Sequence, residues 1–206
     1  MPISSALAGL GLGLSLIVAI GAQNVFVLRQ GIRREHVFTV AAICALSDLA
    51  LILVGVSGIG AVLAAVPWLV GVIRWAGAAF LVGYGALAAR RAIRPSGAAL
   101  DAGASPGAGA GTLAAAALTC LALTWLNPHV YLDTVFLLGS VANGHGDERW
   151  AFAAGAGLAS LVWFFGLAYG ARLLGRVLAS PRAWRVLDGL IALVMVTLGV
   201  LLVLPH

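Results

Sequence analysis

Apolar residues run through this chain in stretches of about 20 or more, separated by short polar intervals. They follow neither the alternation of a half-buried strand nor the narrow stripe of a soluble helix. Six stretches can be drawn, at 5–28, 37–66, 68–90, 112–142, 150–175 and 185–204. About 20 apolar residues cross the ~30 Å hydrocarbon core of a bilayer, where only helices and closed barrels satisfy their own backbone. The pattern predicts an all-α integral membrane protein with six transmembrane helices. Between the third and fourth stretches lies "RRAIRPSGAALDAGASPGAGAG", Arg90 to Gly111, with the Gly, Ser, Pro and Ala bias of a flexible linker. It divides the chain into a first three-helix repeat at 1–90, a cytoplasmic linker at 91–111 and a second three-helix repeat at 112–206. Three crossings reverse the chain's direction, so such repeats must be inverted, a plan common in secondary transporters.

Composition strengthens the membrane assignment: mean hydropathy is +1.08 and only 9% of residues are charged, against roughly 25% in soluble domains. The opening "MPISSALAGLGLGLSLIVAI" has no basic flank and too long an apolar run for a signal peptide, so it is expected to be a retained helix. Charge then orients the helices. The basic residues are all arginines, and ten of the twelve fall in alternate connections: Arg29, Arg33 and Arg34; Arg90, Arg91 and Arg94; Arg172, Arg176, Arg182 and Arg185. The positive-inside rule makes those connections cytoplasmic and both termini external. Arg74 is expected to snorkel from the outer end of the third helix, and Arg149 follows Asp147 and Glu148. With no basic face, no nucleic-acid partner is expected.

Cys44 and Cys120 sit in apolar stretches outside any CxxC or Cys/His cluster, so neither a metal site, a cofactor nor a disulfide is expected, and both thiols are predicted to be buried. The histidines, His36, His129, His145 and His206, are scattered, and no catalytic set of an intramembrane enzyme can be assembled. A passive channel would need a continuous polar lining, which the sequence lacks. Gly9 and Gly13, and Gly166 and Gly170, are spaced for close helix packing.

Chemistry is concentrated in a few polar residues at membrane depth. In "VAIGAQNVFVLRQG", Gln23 and Asn24 carry amides that cost energy unless paired, and Gly21 just before them would ease a local break. In "TWLNPHVYLD", Pro128 has no amide hydrogen and leaves the Thr124 carbonyl without its intrahelical donor, so a kink or unwound turn is expected near Asn127. Both sites have two explanations: interhelical hydrogen bonding, or a broken helix that binds a ligand. Asn24 and Asn127 stand 103 positions apart, half of 206. Asp48 in "CALSDLALILVG" falls eleven residues into its helix, roughly 16 Å along it at about 1.5 Å per residue. A carboxylate at mid-membrane is a functional candidate by default, with Ser47 beside it. His129 and Asp133, four apart, would share a face if the helix were regular after Pro128, and with Asp48 they are candidates for proton coupling.

The stretches "GAQNVFVLRQGIRREHV", "CALSDLALILVGVSG" and "LTWLNPHVYLDTVFLLGS" resemble the lysine/arginine exporter family of bacterial inner membranes, most closely its arginine-exporter branch. The resemblance covers nearly the whole chain, poorest over Gly97 to Gly111. It implies a secondary carrier that exports basic amino acids, driven by the membrane potential or by protons, with no ATP hydrolysis. The family's polar motifs fall on Gln23, Asn24, Asp48, Asn127, Pro128, Tyr131 and Asp133. Related threonine and homoserine exporters usually carry a glycine-proline pattern near the first motif, where this chain has "GAQN". That favours a basic over a neutral substrate. Asp48 is the expected partner of the substrate cation, because a carboxylate binds guanidinium in a two-pronged fork. The partners expected are a basic amino acid and membrane lipid, and the resemblance leaves open whether the chain forms a homo-oligomer.

Overall fold

A computed structural model describes residues 2–18, 21–58, 67–93, 112–174 and 181–204, and every regular element among them is helical. The tail of the second predicted segment from residue 59, the linker from residue 94 and both chain ends lie outside the described residues. α1 (Pro2–Ile17) and α2 (Ala22–Arg33) meet at 83°, and α3 (Val37–Val56) follows after a tight turn. α4 is Pro67–Ile93. α5 (Leu113–Trp125) is bent by 58° from the segment beginning at Pro128, which comprises α6 (Pro128–Val130), a π-helix (Tyr131–Leu138) and α7 (Gly139–Gly144). α8 (Arg149–Leu174) and α9 (Pro181–Val203) complete the chain. Three described helices are long and apolar enough to cross a membrane, and each bent pair passes the same test as one span, giving up to five. α4, with 27 residues, is about 40 Å long.

The helices associate through small residues, as membrane helices do when lipid removes the hydrophobic incentive to pack. α1 runs parallel to α8. A Cβ on Gly9 would lie 2.0 Å from the Phe152 carbonyl oxygen, one on Gly13 3.1 Å from Ala156 Cα, and one on Gly155 1.9 Å from the Ala6 carbonyl oxygen. The expected pair Gly166 and Gly170 does not pack in this way: both look onto open space. α3 runs parallel to α5 and its continuation, with Cys44 Sγ 3.6 Å from Cys120 Sγ and Gly55 against the Val135 carbonyl. Both cysteines are buried free thiols, as predicted.

α4 and α9 pack antiparallel by a reciprocal contact. Gly85 backs onto Val196 and Met195, while Gly199 backs onto Val82 and Leu81. On each helix a glycine and a valine three positions apart thus meet the valine and the glycine of the other. α1 lies on α8, α5 lies on α3, and α3 crosses α8. Large apolar side chains such as Phe38, Leu118, Leu193 and Leu173 face outward.

Arg29, Arg74 and Arg185 each reach a neighbouring helix. Arg29 is not in a connection but in α2, buried, with its guanidinium 3.1 Å from Asp188 of α9. Arg185 lies within α9 and donates to the Ala92 carbonyl. The Arg74 guanidinium donates to the carbonyls of Leu202 and Leu204 at the end of α9.

Candidate functional site

The two breaks are made differently. Pro128 opens α6 as its first residue, and Asn127 caps it, its Oδ1 accepting the His129 N–H at 3.1 Å. A cap with proline next to it is a strong helix start. Two of the carbonyls at this break find hydrogen-bond donors. Thr124 O, expected to be stranded, accepts the Asn127 N–H at 3.3 Å, Trp125 O accepts the Tyr131 hydroxyl at 2.9 Å, and Leu126 O lies against Gly77 of α4, where a Cβ would approach to 1.8 Å.

The first break has no proline. α2 begins at Ala22 with extended Gly21 as its N-cap and no side-chain cap. Asn24 ties the break instead, its Nδ2 donating at 2.8 Å to the carbonyl of Ile17, the last residue of α1. Asn24 Oδ1 accepts from Trp163 Nε1 of α8 at 3.2 Å. Gln23, pointing elsewhere on the helix, is 8% exposed, and its Nε2 has no hydrogen-bond partner among the described residues although it lies near the Cys44 thiol.

Between the breaks stands Asp48, 6% exposed on α3. Ser160 Oγ of α8 donates to its Oδ2 at 2.9 Å. Neither an arginine nor any second hydrogen bond reaches Asp48 among the described residues. Neighbouring Ser47 accepts from Trp125 Nε1 at 3.3 Å. Three separate hydrogen bonds thus lie between the two breaks: Trp125 to Ser47, Ser160 to Asp48, and Trp163, one turn from Ser160, to Asn24.

The structure therefore groups Asn24, Asp48 and the end of α5 through α3 and α8, with Gln23 and Asn127 at the adjoining helix starts. Tyr131 serves the backbone of the break. His129 is exposed and Asp133 half-buried. The turn carrying Asp133 is a π-helix rather than the regular α-helix assumed for the His129–Asp133 face, and neither residue is hydrogen-bonded through its side chain to Asp48 or the amides. Ser160, Trp163 and Trp125 were not singled out from sequence. Ser160 could have been, as a hydroxyl inside an apolar helix; the tryptophans give no such signal, because their rings suit lipid and core equally.

A buried carboxylate without a protein cation, set where two helices break inside an apolar bundle, defines a helical membrane protein built around a polar centre. The chain belongs to the family of LysE type translocators, whose model matches residues 14–205. Its relatives include Rv0488 of Mycobacterium tuberculosis, provisionally named an amino-acid transporter, 50% identical over 91% of this chain and 90% of that protein. A lysine exporter of Corynebacterium efficiens is 39% identical over 95% and 96% of the two chains, and an arginine exporter of Salmonella schwarzengrund 44% identical over 91% and 87%. No solved structure matches the chain. Family and relatives indicate a transporter, not an enzyme.

Proposed function

We propose that this protein is a secondary-active exporter of basic amino acids, arginine or lysine, in the bacterial inner membrane. The relatives named as lysine and arginine exporters support the substrate class. The observation that carries it is Asp48: one oxygen is held by Ser160 and the other is without a partner, in a buried place no arginine of the described residues reaches. Burying a lone carboxylate is costly, and a substrate cation relieves that cost. A guanidinium or an ammonium would lie on the free oxygen, while Ser160 fixes the carboxyl plane. The unpartnered Nε2 of Gln23 and the Nδ2 of Asn127, whose Oδ1 is occupied as a cap, donate to the substrate's α-carboxylate. A neutral amino acid would leave Asp48 uncompensated.

The transport cycle is alternating access by two inverted three-helix repeats, 1–90 and 112–206, joined by the linker and rocking about the polar centre. The reciprocal packing of α4 on α9 and the matching pairs α1–α8 and α5–α3 support this arrangement of six spans. The arginine-rich connections set the orientation, with both termini outside, lipid on the apolar outer surface, and the membrane potential or a proton gradient as the driving force. Proteoliposomes loaded with labelled arginine, lysine, threonine or homoserine test this. Efflux of arginine or lysine that responds to an imposed potential or pH gradient is expected, and efflux of only the neutral amino acids would refute it.

A further inference from the structure

The amide of Asn24 is engaged at both ends: Nδ2 donates at 2.8 Å to the Ile17 carbonyl, and Oδ1 accepts from Trp163 Nε1 at 3.2 Å. Two bonds therefore tie three helices together, at the end of α1, the first turn of α2 and the middle of α8. The first break needs such a tie. Gly21 gives α2 no side-chain cap, whereas Asn127 caps the second break with its own side chain. A helix start without a side-chain cap lacks one of the bonds that hold its first turn. The place of that turn in α2 thus depends on Asn24, and the orientation of the Asn24 amide depends on Trp163.

The same turn carries Gln23, buried and with an unpartnered Nε2, and α8 relates it to Asp48. Ser160, three residues before Trp163, donates to Asp48 Oδ2 at 2.9 Å, and three residues of helix span about 4.5 Å. α3 gives a matching separation from the other side. Gln23 lies near the Cys44 thiol, and Cys44 precedes Asp48 by four residues, so the two share a face of α3 about one turn apart. Two helices thus set the spacing between the Gln23 amide and the Asp48 carboxyl. An amino acid with a cationic side chain presents the complementary pair, a cation at one end and an α-carboxylate at the other.

We propose that Trp163 is a positioning residue for the substrate: through Asn24 it holds the first turn of α2 where the Gln23 amide meets the α-carboxylate of an amino acid whose cation lies on Asp48. This rests on the exporter function proposed above. Trp163 and Asn24 act as one unit, with the indole N–H orienting the amide and the amide fixing the break. Ser160 and Trp163 then divide the work on α8, one holding the acid that takes the cation and the other the turn that takes the carboxylate. Loss of the indole N–H loosens only the carboxylate end, because the Asp48–Ser160 bond does not pass through Asn24.

Trp163→Phe removes the indole N–H and keeps an aromatic ring. Binding of labelled arginine to the purified protein in detergent should weaken about fivefold in Trp163→Phe and about fivefold in Asn24→Ala, the size expected for a hydrogen bond between uncharged groups. Because the two act as one unit, the double variant should also lose about fivefold, not the product of about 25-fold. Competition by agmatine, which is arginine without its α-carboxylate, separates positioning from general damage: its affinity should stay within about twofold in Trp163→Phe. Unchanged arginine binding in Trp163→Phe, single losses that multiply, or an agmatine loss equal to that for arginine each overturns the proposal; where agmatine competes too weakly, the double variant decides. Should Trp163→Phe not fold, benzothienylalanine in place of Trp163, which keeps both rings and exchanges the N–H for sulfur, carries the same tests. An unmodified protein that bound and exported neither arginine nor lysine would refute the exporter function and this role with it, whereas arginine binding that the variants leave unaffected refutes the positioning role alone.

Discussion

Asp48 and Asp188 are both buried in the helical bundle, 6% and 7% exposed, yet they are treated differently. Asp188 has Arg29 at 3.1 Å. Asp48 has a serine hydroxyl and no protein cation among the described residues. A chain that can place an arginine beside one buried acid can do so beside another, so the empty place at Asp48 is a property of the site. One acid is compensated by the fold, and the other, on the function proposed above, is compensated when a substrate cation arrives.

The sharpest way to break that contrast is Asp48→Asn. Asparagine still accepts the Ser160 hydrogen bond, so the protein should remain folded, while efflux of labelled arginine should fall by about 100-fold or more because the cation loses its counter-charge. At Asp188 the same change should act on stability instead. Asp188→Asn strands Arg29 and should cost about 3–5 kcal/mol, read as an earlier unfolding transition in detergent. Replacing both partners, Arg29→Met with Asp188→Leu, should return stability to the original or above it.

Smaller changes refine the difference. Ser160→Ala removes a hydrogen bond to Asp48, a contact in the class worth about 1.5–3 kcal/mol to a charged group, and should weaken arginine binding about tenfold or more with the acid still present. In the scaffold around both acids, Gly155→Ala should destabilise by about 1–3 kcal/mol, because its Cβ would meet the Ala6 carbonyl oxygen at 1.9 Å. Gly166→Ala, facing open space, should stay within about 0.5 kcal/mol. Thermal unfolding of the two glycine variants side by side checks this.

Much of this was legible in the sequence, because bilayer thickness imposes a strong length requirement on helices. Among the described residues the apolar stretches fall on helices, and Pro128 announced its break by the donor it lacks. The first break had a weaker signal, Gly21 and two adjacent amides, and its bond from Asn24 to the Ile17 carbonyl depends on a fold-back that local sequence does not encode. Arg29 was misplaced for a physical reason: counting arginines assumes that each lies at an interface, and only tertiary structure reveals an acid 159 positions away that lets one be buried. The spacing of Gly166 and Gly170 matched a packing motif, but spacing does not say which face of α8 meets a partner. Ser160 and Trp163 acquire meaning only once α8 crosses α3 and reaches the first break.

The most direct measurement is equilibrium binding of labelled arginine to the purified protein in detergent, for the unmodified chain, Asp48→Asn and Asp188→Asn. Saturable binding is expected for the unmodified chain and for Asp188→Asn, with loss of measurable binding in Asp48→Asn. An Asp48→Asn protein that bound arginine with unchanged affinity would contradict the assignment of Asp48 as the residue that receives the substrate's positive charge.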